Sequence, residues 1–173
     1  MSTISCSDNI TAYAVLCCTL TLVCGIANSQ EPEIMDSLIL SQFTDESPNL
    51  GWYIQNDNVM GGRSKGNFEI LSDKLIFSGN TNTDGGGFSS IRTQPLQLDL
   101  SDRTGIRVQV KGDGRVYTWH LQTDARWRGR TVSYWADFNT SAEEEMFVDI
   151  PFTSFKPQFR GFKLEGPGLN TEL

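Results

Sequence analysis

From Gln30 onward the chain has no cysteine; Cys6, Cys17, Cys18 and Cys24 all lie within the first 29 residues. A disulfide framework, a cysteine-based zinc site and a thiol nucleophile are therefore excluded from that part. Histidine is almost as scarce: His120 is the only one, so no His-based metal cluster can form. A Ser-His-Asp arrangement would have to use His120, and the chain contains no G-x-S-x-G elbow to accompany it. Lys and Arg are missing before Arg63. Gly112-Asp113-Gly114 is not a dinucleotide fingerprint, and the glycine-rich stretch at 83–93 leads into a strand pattern, not the helix that a phosphate cradle needs. Acidic residues are plentiful, but with 20 in the 144 residues after the leader a carboxylate pair can be imagined anywhere, so a glycosidase reading has no weight. No catalytic residue, metal site or cofactor is expected, and the protein is not expected to be an enzyme. The net charge of −7 disfavours non-specific nucleic-acid binding.

The N-terminal part has its own character. Ile10 to Ala27 runs for 18 residues without a charge, and small residues follow at Ala27 and Ser29. This reads as a secretory signal peptide cleaved near Ser29–Gln30, although Asp8 sits where a positive segment is usual. Retained, the run is just long enough for a membrane anchor. The expected organisation is a signal peptide or anchor at 1–29, an acidic extension at 30–50 and one β domain at 51–173. Export is expected if the leader is removed, and membrane attachment if it is kept.

Beyond Trp52 the pattern is β throughout. Phe68–Gly79 contains two short runs around Ser72–Asp73, a hairpin signature. Ile106, Val108 and Val110 share one face of a strand, with Arg107 and Gln109 on the other. Tyr117, Trp119 and Leu121 form a second apolar face, opposite which His120 is expected as an exposed or rim residue. Val132, Tyr134, Ala136 and Phe138 form a third, and Met146, Val148 and Ile150 a fourth. Turn chemistry separates these runs at 79–87, 111–115 and 139–145. Many short strands at regular spacing predict an all-β sandwich or barrel.

Three stretches are candidate binding segments. In the first (52–66), Asn56, Asp57 and Asn58 can satisfy backbone groups and Gly61–Gly62 permits a tight reversal; Met60 lies beside them. The stretch serves either as a partner loop held by the Asp57 carboxylate or as a structural corner. In the second (83–93), glycines admit close backbone approach, and Asn80, Asn82 and Asp84 are weak calcium candidates. The third (111–135) interleaves bases with Trp119, Trp127 and Trp135. Such a pattern suits a solvated face over a core, a protein partner, a carbohydrate or, least, a nucleic acid.

The order of motifs adds to this reading. Asn56–Ser64 (NDNVMGGRS) is followed by GGFSSIR (86–92), GDGRVY (112–117), YWADF (134–138), IPFTSF (150–155) and FRG (159–161). This succession resembles the complex I intermediate-associated protein 30 family. The resemblance implies a galactose-binding-like jelly-roll β-sandwich and a chaperone-like role for protein partners in assembling NADH:ubiquinone oxidoreductase, with a mitochondrial location by analogy. It implies further strands after FRG, so a sandwich lacking its last strands is expected here, with an open edge. On the motif residues, Asp57 and Arg92 are expected to pair across the sandwich end, Arg115 and Arg160 to anchor carboxylates or carbonyls, and Asp113 to belong to the same set. Phe152, Phe155 and Phe159 are expected to close the core after Pro151 ends a strand. The alternative function is a carbohydrate-binding module of an exported protein, using the cluster of Trp119, Trp127 and Trp135.

Overall fold

The computed structural model describes residues 37–171 with their side chains, except positions 83, 85, 86 and 160, and describes Ser2–Cys6 and Thr11–Leu16 by backbone pairing. The elements in chain order are β1 (Ser2–Cys6), β2 (Thr11–Leu16), β3 (Tyr53–Asn56), β4 (Lys65–Leu71), β5 (Lys74–Asn80), β6 (Ser89–Arg92), β7 (Gly105–Lys111), β8 (Val116–Trp127), β9 (Arg130–Asn139), β10 (Glu145–Pro151), β11 (Lys156–Phe159) and β12 (Phe162–Lys163). Two 3₁₀ turns, Asp57–Met60 and Phe152–Ser154, complete the set. Among the described residues no helix is long and apolar enough to cross a membrane.

The strands form two antiparallel sheets. One has the order β12-β11-β9-β8-β1-β6-β3 and the other β10-β7-β2-β5-β4. Alternation in the sequence decides which side chains enter the space between them. Ile106, Val108 and Val110 are buried from β7, Tyr117, Trp119 and Leu121 from β8, and Val132, Tyr134, Ala136 and Phe138 from β9. Leu75, Phe77, Ile91 and Ile150 complete the centre, while Met146 and Val148 pack at its margin. Each large apolar side chain so buried contributes about 1.5–3 kcal/mol. Phe152 and Phe155 close one end of the core behind Pro151, with rings 6.2 Å apart. Phe159, expected with them, is only half-buried and lies under the Arg130 guanidinium.

Two tight hairpins fix the register. Ser72 and Asp73 have φ of 51° and 59°, and Arg128 and Gly129 have 51° and 78°. Positive φ at both central residues gives the turn whose twist matches the flanking strands. The first of these hairpins is the one expected around Ser72–Asp73; the second joins β8 to β9.

Parts of the expected leader take part in the sheets. β1 pairs with both β6 and β8, and β2 pairs with β5 along its length and with β7 at Val15↔Lys111. Residues 17–36 lie outside the described residues, and so does the expected cleavage point. The far edge of the larger sheet is β12, only two residues long; a short edge offers little template for further pairing. The segment after it turns back onto the body, with the Tyr134 hydroxyl donating to the Gly168 carbonyl at 3.0 Å.

Candidate functional site

The first candidate stretch folds into a corner that ties the two sheets together. Asn56 ends β3, and its Oδ1 accepts from the Gly66 amide of β4 at 3.0 Å and from the Ser89 hydroxyl of β6 at 2.8 Å. Asp57 begins the 3₁₀ turn and is 3% exposed. Its Oδ1 accepts from the Ser64 amide at 2.9 Å, and its Oδ2 from the Ser64 hydroxyl at 2.7 Å. The Ser64 Oγ in turn accepts from the Asn82 amide at 3.0 Å. A buried carboxylate is tolerable only when its oxygens are bonded in this way.

Glycines are required at three points. Gly61 takes φ of 85° and closes the turn by donating to the Asn58 carbonyl at 3.1 Å. At Gly62 a β-carbon would overlap the Asp57 carboxylate, and at Gly87 it would overlap the Asn82 carbonyl. The second candidate stretch therefore packs onto the first. Outside the corner two apolar side chains stand in solvent, Val59 64% exposed and Met60 72%, flanked by the exposed Asn58 and Arg63.

Asp113 and Arg115 form a separate turn. The Arg115 amide and the Tyr117 hydroxyl both donate to Asp113 Oδ1, at 3.2 and 3.0 Å, and the guanidinium lies 3.3 Å from Oδ2. Arg115 anchors a carboxylate, as expected.

The complex I intermediate-associated protein 30 family model matches residues 41–172. The chain belongs to that family. No curated protein and no solved structure matches the chain. The motifs that carried the resemblance all fall inside the matched span, and the all-β sandwich agrees with the fold that the resemblance implied.

In this family member, two expected placements need correction. Asp57 does not pair with Arg92. Alternation along β6 turns Ile91 inward and Arg92 outward; the Arg92 Nε donates to the Ser90 hydroxyl at 3.2 Å, beside Tyr53. Asp57 is already satisfied by Ser64. The tryptophans do not assemble either. Trp119 is 1% exposed within the core, with its Nε1 unpartnered. Trp127 sits towards the far end of β8, beneath the Arg128 guanidinium at 4.3 Å. Trp135 lies on the outer side of the larger sheet. The trio fails because Trp119 and Trp135 occupy adjacent strands with opposite orientation.

Asn82 Oδ1 accepts from the Asp84 amide at 3.0 Å and closes a turn, while Asn80 is exposed at the end of β5. Among the described residues no group of three His, Cys, Asp or Glu residues is arranged to hold a metal. Arg160 lies outside the described residues.

His120 is the residue whose surroundings were least legible in the sequence. It faces away from the Trp119 side, as alternation requires, yet it is 9% exposed, not a rim residue. The Trp135 ring stacks on it with centroids 4.0 Å apart and planes 11° from parallel. Burial, and then the Arg92 charge, push its pKa down to about 3, so at neutral pH it is an uncharged imidazole. Its Nε2 has no hydrogen-bond partner, a condition that costs about 1–3 kcal/mol.

Proposed function

We propose that this protein is a non-enzymatic binding module that holds protein partners during assembly of NADH:ubiquinone oxidoreductase, in a chaperone-like manner, and that the Val59–Met60 tip makes the contact. The observation that carries the reading is the contrast inside the corner. Asn56 and Asp57 are bonded inward, and on the turn they fasten two apolar side chains are held out into solvent between the exposed Asn58 and Arg63. An exposed apolar pair on a rigid turn is suited to enter a pocket on another protein, since little conformational entropy remains to be lost on docking. Membership of a family named for association with complex I intermediates supports the same direction. His120 as an uncharged group stacked under an indole supports a binding role over acid-base chemistry.

The test is co-migration of tagged full-length protein with assembly intermediates of that complex. Replacing the tip by V59D together with M60D is expected to reduce association by at least roughly tenfold, with unfolding unchanged. Undiminished association of the double variant would remove the tip from the contact. The carbohydrate alternative, founded on a cluster of Trp119, Trp127 and Trp135, finds no support in their positions, because Trp119 is in the core and Trp135 is on the opposite side of the sheet.

A further inference from the structure

Two hairpin ends of the seven-stranded sheet lie side by side. β8 and β9 reverse at Arg128–Gly129. β11 runs antiparallel to β9 with Gln158 opposite Ser133, and reverses into β12 between Phe159 and Phe162. The Arg130 guanidinium of the first hairpin lies over the Phe159 ring of the second, 5.1 Å from its centroid. The Val59–Met60 turn belongs to the other end of the sheet. Asn56, which precedes that turn, is level through Ser89 and Cys6 with the start of β8, whereas this end is reached only at Trp127.

This end is basic in an acidic chain. Arg126, Arg128, Arg130 and Lys163 are all exposed, and none forms an ion pair among the described residues. The acids nearest in sequence, Asp124 and Glu165, are exposed and pair with none of them. Two of the guanidiniums are held against rings, Arg128 over Trp127 at 4.3 Å and Arg130 over Phe159. Arg126 donates through Nη1 to the Thr131 hydroxyl at 2.8 Å. A guanidinium stacked on a ring keeps its N–H edge turned to an incoming oxyanion and has less freedom to lose when it binds one. Trp127 is itself rooted. It packs against the margin of the core, and a β-carbon at Gly166 would meet its ring at 3.3 Å. Beside these cations Phe162 is 74% exposed, more than any other large apolar side chain among the described residues.

We infer that this end is a docking surface for a short acidic segment of a partner protein, one in which carboxylates flank an apolar side chain. The guanidinium forks match carboxylates through paired hydrogen bonds, the Lys163 ammonium adds a point charge, and Phe162 offers the apolar contact between them. Charge decides between this occupant and a larger polyanion. Taking the four positive charges of this end from the net −7 leaves −11 on the rest of the chain. An anionic bilayer or a nucleic acid extends past the hairpin ends and meets that excess. A segment of a few residues feels little of it, because exposed charges are screened over about 8 Å at physiological ionic strength. The inference extends the protein-binding reading to a second surface. It does not rest on the Val59–Met60 contact, so either can fail without the other.

The experiment is binding of a labelled peptide to the full-length protein, read by fluorescence anisotropy and calorimetry at low salt. The peptide carries Asp and Glu around a central Phe. One counterpart replaces that Phe by Ser, and another replaces every acid by its amide. The acidic Phe peptide is expected to bind, the Ser counterpart roughly threefold or more weakly, and the amide counterpart not at all. R128Q together with R130Q is expected to weaken binding roughly tenfold, with the far-UV spectrum unchanged. K65Q together with K156Q removes as many exposed cations elsewhere and is expected to change binding by less than about twofold. F162A should bring the Phe and Ser peptides level. Should the arginine pair alter folding, K163E carries the charge test, with a loss of similar size expected. No binding of the acidic peptide overturns the inference. So does equal binding of the amide peptide, an equal loss in K65Q with K156Q, or an advantage of the Phe peptide that survives F162A. Vesicles of phosphatidylglycerol or a single-stranded oligonucleotide, bound more tightly than the peptide through the same arginines, also overturn it and reassign the surface to lipid or nucleic acid.

Discussion

The two outer faces of this sandwich come from the same kind of sequence and are finished differently. On the five-stranded sheet the polar residues answer one another across strands. Arg107 donates to Asp149 through Nε at 2.6 Å and through Nη2 at 2.9 Å, and Gln109 donates to Glu145 at 2.5 Å. Lys111 meets Glu143 at 3.1 Å and Lys74 meets Glu145 at 3.9 Å. On the seven-stranded sheet Arg92 rests on the Ser90 hydroxyl and Tyr53, and not on a carboxylate, and the Trp135 and His120 rings stack face to face. One face is held by charges that neutralise each other, while on the other a flat indole covers a buried imidazole whose Nε2 has no partner. Alternation makes both faces polar; only the pairing across strands tells them apart.

That contrast can be broken most severely at the backbone. Deleting residues 1–29 removes β1 from between β6 and β8 and β2 from between β5 and β7. Both sheets are then divided, and the loss is expected to exceed the whole stability of a domain of this size, about 5–15 kcal/mol. Circular dichroism on heating should show no cooperative transition in the deleted protein. A deletion that melts like the full chain would show that these strands are dispensable.

The corner that fastens the two sheets is next. D57A leaves the Ser64 amide and hydroxyl without their acceptor and is expected to cost about 4 kcal/mol. The midpoint of urea unfolding measures it, and a shift worth less than about 1 kcal/mol would mean that the corner is not a fastening.

His120 gives the seven-stranded face a pH signature. Its folded pKa of about 3 lies below the ordinary histidine value of 6.5, so the unfolded chain takes up a proton first as pH falls. Stability is intact above about pH 6.5 and declines progressively below it, down to about pH 3. At pH 4.5 the loss is about 3 kcal/mol. H120F keeps an aromatic against Trp135 and removes the titration, so the difference between variant and wild type in urea midpoints at pH 7.5 and 4.5 isolates the effect. An unchanged difference across that interval would contradict the burial assigned to this side chain.

The paired face should respond least. Asp149 is held below the usual carboxylate range by its hydrogen bonds to Arg107. Its contribution is present above the ordinary carboxylate pKa and is lost as pH falls through the depressed one. Because both partners are well exposed, R107A is expected to cost only about 0–1 kcal/mol, and less in high salt. A cost as large as that at Asp57 would erase the distinction between an exposed pair and a buried one.

Much of this was legible in the chain itself. The alternation in 106–110, 116–122 and 131–138 was enough to name the core side chains of three strands, because a period of two leaves only one way to bury an apolar set. Ser72–Asp73 announced a hairpin, and the motif succession announced the family. Other features resisted. The uncharged run at the start is rich in residues that suit an exported leader and a buried strand alike, and periodicity cannot separate those uses. Asp57 and Arg92 have opposite charges and lie in consecutive motifs, yet the β3–β6 register puts Arg92 opposite Tyr53 at one end of the pair and Asp57 beyond Asn56 at the other.

What the sequence determined by itself, then, was local. It set which positions are apolar on which parity, where the chain must reverse, and that no thiol or histidine cluster could form after Gln30. The tertiary structure decided which residues became neighbours. Ser64 came to Asp57, Ser89 to Asn56, and Trp135 to the ring of His120. The physical reason is that side-chain direction follows from a period of two within one strand, whereas adjacency follows from register between strands far apart in sequence. Register is set by the burial of all the strands together, and no single segment carries it.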